Sequence, residues 1–207
     1  MKHFPGIEDD EFIRGKVPMT KKEVRILALS AARIDTYDLV CDIGAGTGSL
    51  SIEAALLAEK GMVYAIERNP EAIKLLRENK EKFEVMNLAV IQNEAPKGME
   101  KLPERLDAAL VGGSGKELPA ILADLAARIK PGGRIVLTCI TVQTLMETIE
   151  FFRAREDFTY TAAEVQVTQL KQVGRYDMKA AQNPITIVTA VKDEEAAPET
   201  DREDAEA

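Results

Sequence analysis

The passage Leu39-Val40-Cys41-Asp42-Ile43-Gly44-Ala45-Gly46-Thr47-Gly48 constrains this chain most, because an apolar run stops abruptly in three alternating glycines. Five residues rich in apolar and β-branched side chains read as a short strand buried on both faces. Glycine at 44, 46 and 48 opens backbone conformations closed to other residues, so the chain can turn tightly there. From Ser49 to Glu59, Ile52, Ala55 and Leu56 recur at helical spacing. Strand, glycine turn and helix in that order put the turn at the carboxyl end of a parallel sheet, where open α/β folds bind ligands.

The same alternation runs through the rest of the chain. Thr20-Lys21-Lys22-Glu23 has the form of a capping box, and Val24, Leu27, Ala28 and Ala31 after it mark a first helix. Met62–Glu67 reads as a strand, and Pro70 opens a helix through Leu75, Leu76 and Asn79. Leu88–Ile91 and Leu106–Val111 are further strands, followed by a helix over Leu118–Ile129. Pro131-Gly132-Gly133 turns into a strand at Arg134–Ile140, and a helix spans Val142–Arg155. Phe158–Leu170 and Ile185–Val191 read as two last strands, joined without a clear helix and suited to an antiparallel hairpin at one edge. The expectation is an α/β fold of about seven mostly parallel strands with helices on both faces, since parallel connections need a crossover.

Composition narrows the function. The net charge of −8 is uneven: Asp193–Ala207 holds eight acids and one base, which leaves the body near neutral. A near-neutral body gives no global field for nucleic acid. We expect one domain over residues 1–192, whose first 20 residues cover the ligand, and a disordered acidic tail at 193–207. No run is long and apolar enough for a membrane span and no leader is legible, so a cytoplasmic location is expected. His3 is the one histidine, which disfavours Ser/His or Cys/His catalysis and most zinc sites. Cys41 and Cys139 lie in strand-like runs and read as core thiols.

Gly44 and Gly46 begin a dinucleotide fingerprint, but its third small position falls on Ser49, which weakens a nicotinamide reading. Glu67 ends the second strand about 20 residues after the turn, where a carboxylate can accept both hydroxyls of a ribose; a solvated strand-end acid is the alternative. Asp42 followed by Gly44, Gly46 and Gly48 resembles instead the first motif of S-adenosyl-L-methionine enzymes. In such enzymes an acid and a small residue near the adenine follow the third strand, and Glu94-Ala95 stands at that place, with an exposed loop acid as the alternative.

The resemblance then narrows. Phe12-Ile13-Arg14-Gly15-Lys16-Val17-Pro18-Met19-Thr20-Lys21, the glycine turn, Ala65-Ile66-Glu67-Arg68-Asn69-Pro70, Gly112-Gly113-Ser114-Gly115 and Ala181-Gln182-Asn183-Pro184 together look like one family. It is the decarboxylating precorrin methyltransferases of cobalamin biosynthesis, with the Rossmann-like class I methyltransferase fold. The resemblance covers about residues 6 to 191, and Glu94 departs from a common aspartate. It implies methylation of a precorrin or cobalt-precorrin at carbon 15, with loss of carbon dioxide from an acetate side chain. It implies S-adenosyl-L-methionine as cofactor, contacts from Thr20, Gly44, Ala45, Gly46, Thr47, Gly48, Glu67, Glu94 and Ala95, and a homotetramer.

For the substrate, the loop at Gly112, Gly113 and Ser114 lacks the Asn/Asp-Pro-Pro-aromatic tetrapeptide of many amino and base methyltransferases and suits a flat, bulky acceptor. An anionic tetrapyrrole calls for local cations. Arg14, Lys16, Lys21, Lys171, Arg175 and Lys179 are candidates, with Arg14, Lys16 and Arg175 favoured by their family-like segments. No catalytic acid or base and no metal ligand is assigned. The competing readings are a tRNA or protein methyltransferase on the same fold and an adenosine-ligand sensor without catalysis.

Overall fold

The computed structural model describes residues 4–194. From residue 195 the acidic tail lies outside the described residues. Strands β1 (Leu39–Ile43), β2 (Met62–Glu67), β3 (Leu88–Gln92), β4 (Leu106–Val111) and β5 (Ile129–Cys139) are parallel and lie in the order β3-β2-β1-β4-β5. Helices α1 (Lys22–Ala32), α2 (Ser49–Leu57) and α3 (Pro70–Lys82) follow the expected places, as do α4 (Leu118–Arg128) and α5 (Val142–Arg153).

Strand parity explains the two-layer core. Val40, Leu110 and Val136 pack with α1 and α2, whereas Cys41, Val111 and Leu137 turn to the other face with α4 and α5. Cys41 and Cys139 are buried in these layers, and burial raises both thiols above their ordinary range, as expected of core cysteines.

Two expectations are corrected. Thr20 does not cap α1. Lys21 takes the cap position with no side-chain hydrogen bond, and the orphan N–H of Lys22 donates instead to Asp9 Oδ1 at 3.0 Å. A remote acid thus replaces the local box, because the Thr20 carbonyl is drawn to the buried Arg25 guanidinium at 2.6 Å. The expected long strand at Phe158–Leu170 is also two strands, β6 (Phe158–Val165) and β7 (Thr168–Val173). The second leaves the sheet and pairs with an additional strand, β8 (Tyr176–Ala181). Gly174, at φ +61°, opens the two-residue turn between them, a tight-hairpin signal at Val173-Gly174-Arg175-Tyr176 that the strand reading passed over.

Strand β9 (Ile185–Lys192) is antiparallel and sits inside the sheet between β5 and β6, with β6 at the edge. The two last strands thus form the expected antiparallel pair at one edge of the sheet, with β9 inside, Ile187 to Ala190 all buried, and the more exposed β6 outermost.

Candidate functional site

The glycine turn is built against two other segments. Gly44 N–H and Ala45 N–H both donate to the Ile66 carbonyl of the neighbouring strand, at 2.9 and 3.2 Å. A Cβ at Gly44, where φ is +71°, would lie 2.3 Å from the Gly113 carbonyl oxygen, so the turn and the loop after β4 touch backbone to backbone. On the other side the Pro18 carbonyl lies 3.4 Å from the Cβ position of Gly46. The N-terminal segment therefore crosses over the turn.

What holds that segment is a set of buried polar groups that pattern reading did not single out. Arg25, fully buried on α1, donates to Glu53 Oε1 at 2.8 Å, to Asp9 Oδ1 at 2.7 Å and to the carbonyls of Thr20 and Ile7. Its guanidinium also stacks 4.8 Å from the Phe12 ring centroid. Asn79, buried on α3, accepts from Ile13 N–H at 2.7 Å and donates to the carbonyls of Ile13 and Thr47 at 3.0 and 3.1 Å. One amide thus ties the segment to the glycine turn. Long charged and amide side chains inside a helix look like ordinary surface residues in a sequence, so their burial had no legible signal.

These elements enclose a cleft of about 480 Å³ at the carboxyl end of the sheet. Thr20, Gly44, Ala45, Gly46 and Thr47 line it, as do Glu67, Glu94, Ala95, Gly112, Gly113 and Ser114. Gly48 does not. At φ +81° its Cβ position is 2.7 Å from Leu76 Cγ, so it serves the close packing of α2 on α3. Arg14 and Lys16 are exposed outside the cleft. Arg14 borders an adjoining groove with Lys21 and Lys171, and Lys21 lines both spaces. Arg175 stands at the tip of the β7–β8 ribbon over the Tyr176 ring, away from the cleft, and Lys179 is exposed on the same ribbon.

Glu67 is half-buried, with Oε2 accepting from Gly46 N–H at 2.9 Å and Oε1 from Asn69 N–H at 2.7 Å. Arg68 pairs with Glu94 and not with its neighbour Glu67, so the two loops after β2 and β3 are clasped by an exposed ion pair. Asp42 is buried beneath the turn. Ser51 Oγ donates to its Oδ2 at 2.5 Å, while Oδ1 has no hydrogen-bond partner among the described residues. Burial lifts its carboxyl from 3.8 to about 6, the Ser51 hydrogen bond opposing and the Glu67 charge reinforcing the rise. Thr47 Oγ1 is likewise buried and without a hydrogen-bond partner among the described residues.

Two orphaned polar atoms in a cleft that also holds a strand-end carboxylate ask for a ligand. An acid and a hydroxyl beside the turn match the ammonium and carboxylate of an amino acid, and Glu67 matches a ribose. The residues present fit S-adenosyl-L-methionine. In the dinucleotide-binding order 3-2-1-4-5-6, the position beyond β5 belongs to a further strand of the same mostly parallel sheet; here antiparallel β9 occupies it. Fold and site together define a class I methyltransferase.

The comparisons with known proteins narrow the class. Residues 11–192 match the precorrin methyltransferase domain family. A probable cobalt-precorrin-6B C(15)-methyltransferase (decarboxylating) from Sulfolobus acidocaldarius is 40% identical over 192 residues, 91% of this chain and 98% of the relative. Its Salmonella typhimurium counterpart is 36% identical over 189 residues, 91% and 97% of the two chains. The crystal structure of a precorrin-6y C5,15-methyltransferase from Geobacter metallireducens superposes with a TM-score of 0.86 at 38% identity, covering 90% of this chain and 98% of that one. The chain belongs to the precorrin methyltransferase family.

Proposed function

We propose that this protein methylates carbon 15 of a precorrin or cobalt-precorrin and releases carbon dioxide from an acetate side chain during corrin construction, using S-adenosyl-L-methionine. One observation carries the reading: a single cleft gathers the glycine turn, Glu67, Glu94-Ala95, the Gly112–Ser114 loop and the crossing N-terminal segment. The bound cofactor supplies a methyl group on an already activated sulfonium. Asp42 and Thr47 hold the amino-acid end, Glu67 the ribose, and Glu94 with Ala95 borders the adenine. Pro18 and Thr20 close over the turn and exclude water.

The bare Gly112–Ser114 loop leaves room for a flat macrocycle against the methyl donor, and Lys21 with Arg14 and Lys171 meets its carboxylates. Alignment in a dry cleft supplies several powers of ten in rate without a strong base. The acceptor is an anionic tetrapyrrole and not nucleic acid, and the setting is cytoplasmic. Among the described residues no helix is long and apolar enough to cross a membrane.

The reading extends to a homotetramer. Val173, Tyr176 and Met178 share one face of the exposed β7–β8 ribbon with Lys171, a largely apolar patch suited to self-association. The catalytic domain is residues 1–192, with the acidic tail a solubilising appendage. Mass spectrometry of precorrin incubated with protein and cofactor tests the reaction: the expected product has gained one CH2 and lost one CO2. An unchanged acceptor, alongside methylated RNA or protein or no turnover at all, overturns it.

A further inference from the structure

Next to the cleft, sharing Gly112–Ser114, Thr138 and Ile140 with it as lining, is a small annex of about 160 Å³ between the loop after β4 and the start of α5. This is several times the roughly 30 Å³ share of one water in the liquid, enough for a carboxymethyl arm and too small for a macrocycle. Ser114, Thr138, Thr141 and Thr144 give it a hydroxyl lining, and the described residues around it include no cation and no acid. Thr138 is 8% exposed, lines both cleft and annex, and makes no hydrogen bond through its hydroxyl among the described residues. Thr141 and Thr144 satisfy one another at 2.9 Å, with Thr144 N–H also donating to Thr141 Oγ1, so that the capped start of the twelve-residue α5 forms one wall of the annex.

Resting on the acceptor proposed above, we infer that this annex receives the one acetate carboxylate that is lost, with Thr138 as its positioning residue. The two sides of the cleft differ in the way this task requires. Lys21 lines the main cleft, and with Arg14 and Lys171 the adjoining groove, so that carboxylates that survive the reaction have cations to meet there, among the acids Glu8, Asp9 and Asp10, whereas the annex offers none. A carboxylate that must leave as neutral CO2 loses its charge in the transition state. A guanidinium or ammonium would hold its ground state more tightly than its transition state and slow the step. Neutral hydroxyls fix its orientation with less of that penalty.

The atoms balance without a further reactant. The acceptor carbon uses a macrocycle electron pair to bond the methyl group and gives up one proton. The bond between the side-chain methylene and the carboxyl carbon breaks, CO2 departs, and its electron pair enters the macrocycle. The methylene carbon then takes one proton and ends as a methyl group.

The test compares the wild-type chain with Thr138→Val, which keeps the shape and removes the hydroxyl, and Thr138→Ser, which keeps the hydroxyl. Each is incubated with precorrin and S-adenosyl-L-methionine, and trapped CO2 and methylated product are measured separately. The expected result for Thr138→Val is a fall of about tenfold in CO2 released per methyl transferred, the scale of one lost hydrogen bond, with Thr138→Ser restoring the ratio. A Val ratio equal to wild type, a Ser ratio as low as Val, or a parallel loss of both steps overturns the assignment. Wild-type protein that neither methylates nor decarboxylates the acceptor refutes the reaction itself and is thereby distinguished.

Discussion

Gly46 N–H donates to Glu67 Oε2 at 2.9 Å, so the acid at the end of β2 is held by the turn beside which the cofactor is proposed to lie. Glu67→Gln keeps the shape but removes the charge proposed to accept two ribose hydroxyls. Weakening charged hydrogen bonds of about 1.5 to 3 kcal/mol should lower S-adenosylhomocysteine affinity roughly 10- to 100-fold. Both oxygens of Glu67 also accept backbone N–H groups, and a glutamine NH2 cannot. Melting should therefore fall by about 2 to 4 °C, the equivalent of about 1 kcal/mol in a chain of this size. Calorimetry and thermal melting check the pair, and unchanged affinity in a folded variant removes Glu67 from the site.

Asp42 should make ligand binding pH-dependent. Its carboxyl sits at about 6 in the folded protein against an ordinary 3.8. A raised acid pKa means that the folded state holds the extra proton in between, so its contribution to stability is present at low pH and lost as pH rises through about 6. An ammonium ligand needs the ionised form. S-adenosylhomocysteine affinity should thus rise with pH up to about 6 and then level off, while Asp42→Asn should bind about tenfold more weakly with a flat profile. Titrations across that range decide it; a flat wild-type profile contradicts the pairing.

Gly44 and Gly174 both have positive φ, yet only one is crowded. Gly44→Ala drives a methyl to 2.3 Å from the Gly113 carbonyl oxygen and should abolish ligand binding or folding. Gly174→Ala meets nothing within 4 Å and should cost only the left-handed conformation, about 1 to 2 kcal/mol. Denaturant unfolding of the two variants measures the contrast, and similar losses would argue against the backbone contact.

Arg25→Leu removes the guanidinium from a buried cluster with Glu53, Asp9 and two carbonyls. Stripping one partner from a buried ion pair costs about 3 to 5 kcal/mol. Melting should fall by roughly 6 to 20 °C. Proteolysis within the first 20 residues should quicken, since the segment loses its main anchor. Resistance equal to wild type would show that Asn79 and Phe12 suffice.

The apolar ribbon face should decide assembly. Changing Val173 and Met178 together to aspartate should shift the mass in solution from tetramer toward monomer, because like charges then face one another across the proposed contact. Sedimentation measures it, and an unchanged tetramer moves the interface elsewhere.

The sequence by itself determined what short-range pattern can encode. Apolar runs of five or six residues gave β1, β2 and β4 their limits, Pro70 opened α3, and three glycines marked the turn, because each rests on local propensity and periodicity. The site residues on the strand ends followed from that order. Tertiary structure alone decided which distant groups meet. Asp9 took the cap that Thr20 was expected to provide, Arg68 chose Glu94 over Glu67, and β9 entered the sheet between β5 and β6. Gly48 turned to Leu76 instead of the cleft, Arg175 stayed at a ribbon tip, and Thr138 came to line an annex. Burial of a charge or an amide depends on partners 16 to 66 residues away, and spacing along the chain carries no record of them.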